Sequence, residues 1–225
     1  ETVNLADLDP EEHRTQAIGR YTEAGLVKEM EKRGIGRPST YAAIIERIQS
    51  AQYSFRRNKA LVPTWTAFAV VRLMEEHFAS IVSYDFTKKM EDDLDGIAQG
   101  QIDRQGYLKK FWSGNGDSGL EGLLATGLEV IDPATICRFP MPYAGSDPIR
   151  FQDEDVVLRV GRYGPYLEAG EVRGNVPEEL PPDELTASKI DEIMQAGARK
   201  DEPLGQCSAT GKPIFLKSGR FGPYV

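Results

Sequence analysis

Two arginines bracket a short run of glycine, proline and hydroxyl residues at Arg33-Gly34-Ile35-Gly36-Arg37-Pro38-Ser39-Thr40-Tyr41. This is a set suited to holding phosphate. The glycines let the chain turn, and Pro38 fits the first turn of a helix that follows. Ser39 or Thr40 is placed to cap that helix, leaving backbone N–H groups pointing outward. Free N–H groups at a helix start, hydroxyls and guanidinium forks together bind oxyanions. The same residues also suit an ordinary link between two helices, with both arginines solvated.

Three further constellations could meet nucleic acid. Arg47 stands on the outward side of the second helix, and Arg56, Arg57 and Lys59 cluster between Tyr53-Ser54-Phe55 and Ala60-Leu61-Val62. Near the end, Val157-Leu158-Arg159-Val160-Gly161-Arg162-Tyr163-Gly164-Pro165-Tyr166-Leu167 recurs as Phe215-Leu216-Lys217-Ser218-Gly219-Arg220-Phe221-Gly222-Pro223-Tyr224-Val225. Each copy sets an arginine beside an aromatic between glycines: Arg162 with Tyr163, and Arg220 with Phe221. Such a ring can stack on an unpaired base while the arginine holds a phosphate, and stacking contributes about 1–3 kcal/mol per base. The alternative is that these rings fill a small β core. Glu91-Asp92-Asp93 and Asp95 read as a solvated helix face rather than a metal site. His13 and His77 are isolated, and no residue has the neighbours of a covalent catalyst. Tyr41 falls on an apolar stripe, which argues against it as a nucleophile.

The elements that must carry these residues follow from periodicity. A first helix runs from a Thr22 cap to Arg33. A second runs from Ser39 to Ser50, with Tyr41, Ile44, Ile45 and Ile48 on one face. Residues 53–63 read as a short basic hairpin. A third helix spans Thr64 to Phe78 and carries apolar residues widely around it, as a buried helix does. Phe86, Met90, Leu94 and Ile97 mark a fourth helix; Tyr107, Leu108, Phe111 and Trp112 mark a fifth, all expected in the core. Ser113-Gly114-Asn115-Gly116-Asp117-Ser118-Gly119 is the clearest break. Strands are expected over 149–167, then a helix containing Ile190, Ile193 and Met194.

The expected fold class is therefore α+β in two domains. A mainly helical, helix-turn-helix or winged-helix-like segment precedes small β-rich repeats. The boundaries are a lead-in at 1–19, the helical core at 20–114, a connector at 115–148, a first repeat at 149–205 and a truncated second repeat at 206–225. The chain begins with Glu1 and stops inside the second repeat, so a fragment of a longer protein is expected.

The chain has 225 residues and a formal charge of −8. That charge is unevenly spread: residues 20–59 carry nine Lys and Arg against four Glu, a net +5, while residues 1–19 carry −4. A local basic patch on an acidic chain suits contact with a polyanion through one face. The two cysteines, Cys137 and Cys207, form no Cys-x-x-Cys pair, so a zinc site is not expected. No apolar run approaches the roughly 20 residues that span a bilayer, so no membrane partner is expected.

Arg20-Tyr21-Thr22-Glu23-Ala24 with Leu26-Val27-Lys28-Glu29-Met30-Glu31-Lys32, continuing into Arg33-Gly34-Ile35-Gly36-Arg37-Pro38-Ser39-Thr40-Tyr41, resembles the type IA DNA topoisomerases. The resemblance is to their bacterial topoisomerase I branch. It extends through Ala60-Leu61-Val62-Pro63-Thr64-Trp65-Thr66, Tyr84-Asp85-Phe86-Thr87 and Met90-Glu91-Asp92, and resumes at Gly161-Arg162-Tyr163-Gly164-Pro165-Tyr166. The chain is similar to the zinc-free members with carboxy-terminal repeats. What this implies is a parent isomerase that relaxes negatively supercoiled DNA through a 5′-phosphotyrosine link, strand passage and religation. Its Mg2+ would be held by a Toprim domain, and both that domain and the tyrosine segment would lie outside this chain. The chain itself would bind single-stranded DNA without cofactor, as a monomer, in the cytoplasm at the bacterial nucleoid, and be inactive alone. The resemblance implies phosphate contacts at Arg37, Ser39 and Thr40 and single-strand binding by the repeats. With the basic and aromatic residues read above, the candidate DNA contacts are Arg33, Arg37, Ser39, Thr40, Arg47, Arg56, Arg57, Lys59, Arg162, Tyr163, Arg220 and Phe221. Relatives usually place Arg-Gly-Tyr after the second helix; here it is Ala51-Gln52-Tyr53, so one charge and one turn glycine are missing. Gly25 stands where relatives usually have serine. Two other readings stay open: a winged-helix regulator of duplex DNA, and tail repeats that dock a protein such as a transcription partner.

Overall fold

A computed structural model describes residues 18–114, 119–142 and 147–200, together with 205, 206, 208, 210–214, 217–219 and 222–224. The lead-in before residue 18, with His13, lies outside the described residues, as do Cys207, Arg220 and Phe221. The chain is a mixed α+β protein, as its sequence pattern predicts.

The first half is built from capped helices. Helix α1 (Glu23–Arg33) starts where the Thr22 hydroxyl accepts from Gly25 N–H and ends at Gly34 in the left-handed region, φ 71°. Helix α2 (Tyr41–Ser50) follows, then the hairpin β1 (Ser54–Arg57) and β2 (Ala60–Pro63). A two-residue turn at Asn58 and Lys59 joins them, with Asn58 at φ 56°. Helix α3 (Trp65–His77) is capped by Thr64, whose hydroxyl accepts from Ala67 N–H. Then come α4 (Ala79–Val82), α5 (Tyr84–Ala98) and α6 (Arg104–Ser113).

The stretch read as a connector has regular structure: α7 (Leu120–Val130), α8 (Pro133–Ile136) and β3 (Arg138–Pro140). A small hairpin, β4 (Arg150–Phe151) with β5 (Glu154–Asp155), comes next. It is followed by β6 (Val157–Gly161), β7 (Gly164–Ala169) and β8 (Val172–Asn175). The main sheet has the order β3-β6-β7-β8, antiparallel throughout, so β3 from the connector stretch forms one edge. A 3-10 turn (Pro182–Glu184) leads into α9 (Ala187–Lys200). Two further hairpins follow, β9 (Gly205–Gln206) with β10 (Pro213–Ile214), and β11 (Lys217–Gly219) with β12 (Gly222–Tyr224).

Alternation along β6 and β7 separates two faces of the main sheet. Phe139, Leu158 and Leu167 line the inner face, where Ile190, Ile193 and Met194 of α9 cover them. Trp65 and Ala69 of α3 enter the same buried cluster, so the core spans residues on both sides of the 113–119 break. Trp65 is 2% exposed, and its ring lies 5.6 Å from that of Phe139. The outer face carries Arg159, Glu168 and Arg173 as an ion-pair ladder, at 2.9 and 3.2 Å. The fifth helix differs from its expected burial. Leu108 and Trp112 on α6 are about half exposed, because this ten-residue helix has apolar residues around more of its circumference than its neighbours cover.

Candidate nucleic-acid interface

The bend between α1 and α2 is a tightly tied turn. Gly36, at φ 76°, is buried under the Tyr41 and Ile44 side chains, and a Cβ there would meet Tyr41 Cε1 at 3.1 Å. Both the backbone angle and the close ring require glycine. Tyr41 therefore has a packing role, as its place on the apolar stripe predicts.

Thr40 caps differently from expectation. Its hydroxyl makes no cap bond to α2; it accepts from Arg37 N–H at 2.9 Å and donates to Arg37 O at 3.1 Å. Residues 37–40 form a turn of their own, closed by Thr40 N–H to Arg37 O at 2.8 Å, so the helix begins later, at Tyr41. Ser39 and Thr40 are both exposed.

The two guanidinium groups of the bend face carboxylates. Arg37 Nε and Nη2 donate to Asp95 Oδ2 at 3.0 and 2.8 Å, and Nη2 also reaches Asp92 Oδ1 at 3.1 Å. Its Nη1 donates to Gly36 O at 2.9 Å. The fork thus ties the bend to α5, and the hydrogen bond to Asp95 holds the Arg37 pKa above its ordinary value. Asp92 and Asp95 belong to the run read as a solvated helix face; they are three residues apart, which places them on one side of the helix. Arg33 Nε donates to Glu29 Oε1 at 2.6 Å, raising the arginine's pKa and lowering that of Glu29. The Arg33 guanidinium also lies 4.4 Å above the Tyr84 ring. Neither group is sealed from water: the Arg33 and Arg37 side chains keep 39% and 28% of their exposure. An open groove of about 690 Å³ runs between α1 and α2, lined by Ala24, Val27, Pro38, Tyr41, Gln49 and Arg56.

The other candidate residues fall into two groups. Arg56 pairs with Glu23, and Arg57 pairs with Glu184 of the 3-10 turn; the hydrogen bond to Glu184 raises the Arg57 pKa. Arg47 and Lys59 are exposed and form no ion pair among the described residues.

Arg162 and Tyr163 form the two-residue turn between β6 and β7, with Gly161 opposite Gly164. Tyr163 is 94% exposed, and the Arg162 guanidinium lies 5.8 Å from its ring. Tyr166 lies on the outer face of the sheet and is half-buried. Its ring covers Gly161, where a Cβ would meet Tyr166 Cε1 at 3.0 Å, and Arg173 lies 5.7 Å from it. The second copy repeats the register, with Gly219 opposite Gly222. Arg220 and Phe221 occupy the matching sequence positions between those glycines, outside the described residues.

Comparison with known proteins agrees with this order of parts. The family described as DNA topoisomerase matches residues 1–109, and the one described as topoisomerase C-terminal repeat matches residues 151–201. The chain is 42% identical to DNA topoisomerase 1 of Streptomyces coelicolor over 100% of its own length and 25% of that protein. It is 44% identical to DNA topoisomerase 1 of Mycolicibacterium smegmatis over 99% of its length and 25% of that protein. The full-length topoisomerase I structure from Thermotoga maritima aligns with a TM-score of 0.56 at 29% identity, covering 74% of this chain and 26% of the other. The chain thus spans about a quarter of the length of the relatives it matches. With a topoisomerase segment and a topoisomerase repeat matched in chain order, and with such identity along its length, the chain belongs to the bacterial type IA DNA topoisomerases, in their topoisomerase I branch.

Proposed function

We propose that this chain is the DNA-holding part of a type IA topoisomerase and that its ligand is single-stranded DNA. The observation that supports this best is the β6–β7 turn. A tyrosine left 94% exposed on a two-residue turn has no packing role. The arginine beside it adds a cation for the backbone, and a ring so presented stacks on bases that are already unpaired. A duplex, with its bases stacked inside, offers no such surface.

In this reading Ser39, Thr40, Arg47 and Lys59 meet the strand directly from the α1–α2 side. Arg33, Arg37, Arg56 and Arg57 exchange carboxylates for phosphates. The whole protein relaxes negatively supercoiled DNA by cutting one strand through a tyrosine, passing another and resealing. The tyrosine and the Mg2+ ligands belong to other parts of that protein. The described residues do not fit a magnesium site: no group of three or more His, Cys, Asp or Glu converges among them, and Asp92 and Asp95 are engaged by Arg37.

The order α1-α2-β1-β2 is what a winged-helix reading rests on, with α2 reading base edges. Gln49 argues against it, since its amide donates to Glu23 Oε1 at 3.2 Å and to Ile45 O at 3.3 Å. Base readout needs such groups free.

The test is a gel shift at low salt with a single strand and its duplex. The single strand binds more tightly, and its log K falls linearly with log salt. Tyr163→Ala weakens single-strand binding by about fivefold or more, the loss of one stacked base. Equal affinity for both forms, or an unaffected Tyr163→Ala variant, contradicts the reading.

A further inference from the structure

The segment before α1 lies alongside the hairpin. Thr22 bridges Ala60, and Leu61 N–H donates to Tyr21 O at 2.8 Å. On the other edge of β2, Arg57 stands opposite Ala60. Directly opposed residues share a face of an antiparallel ribbon, and every second residue of a strand returns to it. Arg57, Ala60, Thr22 and Arg20 therefore share one face. Along the row from Arg57 through Ala60 to Thr22, the two residues before Arg20 carry small side chains.

Two consecutive carboxylates meet them. Arg20 Nη2 donates to Asp183 Oδ1, and Arg57 Nη1 donates to Glu184 Oε1, across 163 and 127 residues of sequence. Both acids come from the 3-10 turn, held by Pro181 on one side and by Leu185, a core residue, on the other. The Arg20 and Arg57 side chains keep 32% and 47% of their exposure, and Asp183 and Glu184 keep 68% and 44%. Water and ions reach all four groups, and ion pairs this exposed add little to stability.

We propose that Arg20 and Arg57 form a single anion cradle for a sugar–phosphate backbone, and that Asp183 and Glu184 occupy it in the free chain. The proposal rests on the single-strand reading above and adds Arg20, which is not among the candidate DNA contacts read from the sequence, to the contacts. The carboxylate pair is rigidly presented, so it competes for the cradle at a fixed effective concentration. A polyanion that displaces it also releases its own counterions, which favours the exchange most strongly at low salt.

The test uses the full chain with Asp183→Asn and Glu184→Gln together. These substitutions are isosteric and lie at the surface. Binding is followed by fluorescence anisotropy with a labelled oligothymidylate of about 20 nucleotides, longer than one binding site. The doubly substituted chain binds about three- to tenfold more tightly than the parent. Adding Arg20→Ala and Arg57→Ala erases the gain. The control Asp191→Asn with Glu192→Gln removes two exposed acids from α9 and yields only the smaller gain of altered net charge. A gain no larger than the control's, or one that survives without Arg20 and Arg57, overturns the cradle. A parallel titration with inorganic polyphosphate separates the two claims. If polyphosphate shows the arginine-dependent gain while no variant binds the oligonucleotide, the cradle stands and the single-strand reading falls.

Discussion

Gln52 follows α2 at φ 58°, in the left-handed region where a side chain costs roughly 1–2 kcal/mol relative to glycine. It is fixed there on both sides: its N–H donates to Gln49 O at 2.9 Å, and its own carbonyl accepts from the Thr64 hydroxyl at 2.7 Å. Gln52→Gly relieves the strain but loosens the unfolded chain, which returns about 0.4–1 kcal/mol. The net expectation is a gain of about 0.5–1 kcal/mol, seen in thermal unfolding as a Tm higher by about 1–4 °C. A lower Tm shows that the glutamine side chain makes up for its backbone. The position was legible in the sequence, because a glycine is usual there and a turn needs one. The partners of Arg37 were not. Asp92 and Asp95 could be placed on one side of α5 by their spacing, but nothing local says that an arginine 55 and 58 residues earlier in sequence lies against them. Charged residues on a helix look alike whether they meet water or a distant cation.

Among the elements, the capped helices were the easiest to read, since Thr22 and Thr64 stand immediately before apolar periodicity and each does cap its helix. The boundary of α2 was misplaced because Pro38, Ser39 and Thr40 carry helix-start chemistry yet spend it on a separate turn. Strand β3 was hidden for another reason. Arg138-Phe139-Pro140 is too short to show alternation, and a terminal proline reads as a break; its place at a sheet edge is the one a proline tolerates. Thr64 has more than a capping role. It accepts from Ala67 N–H at 3.2 Å while its hydroxyl donates back to Gln52 O, joining the start of α3 to the turn after α2. Thr64→Ala removes both, at a cost of about 1–2 kcal/mol. Thr64→Ser keeps the oxygen and restores most of the loss. Urea unfolding of the two variants checks this; equal destabilisation by both substitutions would locate the effect in the lost methyl group instead.

At the scale of the whole molecule, the sequence break at 113–119 and the core do not coincide. Helix α3 comes before the break, yet Trp65 and Ala69 share a buried cluster with Phe139, Leu158, Leu167 and α9. Trp65 also lies 5.5 Å from the Phe68 ring, and it is among the largest fully buried side chains, joining the helical half to the sheet through Phe139. The ion pairs from Arg20 and Arg57 to the 3-10 turn cross the same junction, but they are exposed and contribute little by comparison. A junction held by apolar burial couples the stability of its two sides. Trp65→Ala opens a cavity there and costs about 3–5 kcal/mol, as large-to-small changes of aromatic core residues do. Hydrogen exchange on this variant should show protection falling together in α1–α3 and in β6–β8 with α9. Protection lost only in the helices, with the sheet and α9 unchanged, would mean that the repeat unit is stable without α3 and that the junction is a docking contact between two independent cores. Trp65→Phe fills most of the cavity and should restore most of the protection on both sides, which separates loss of packing from loss of the indole N–H.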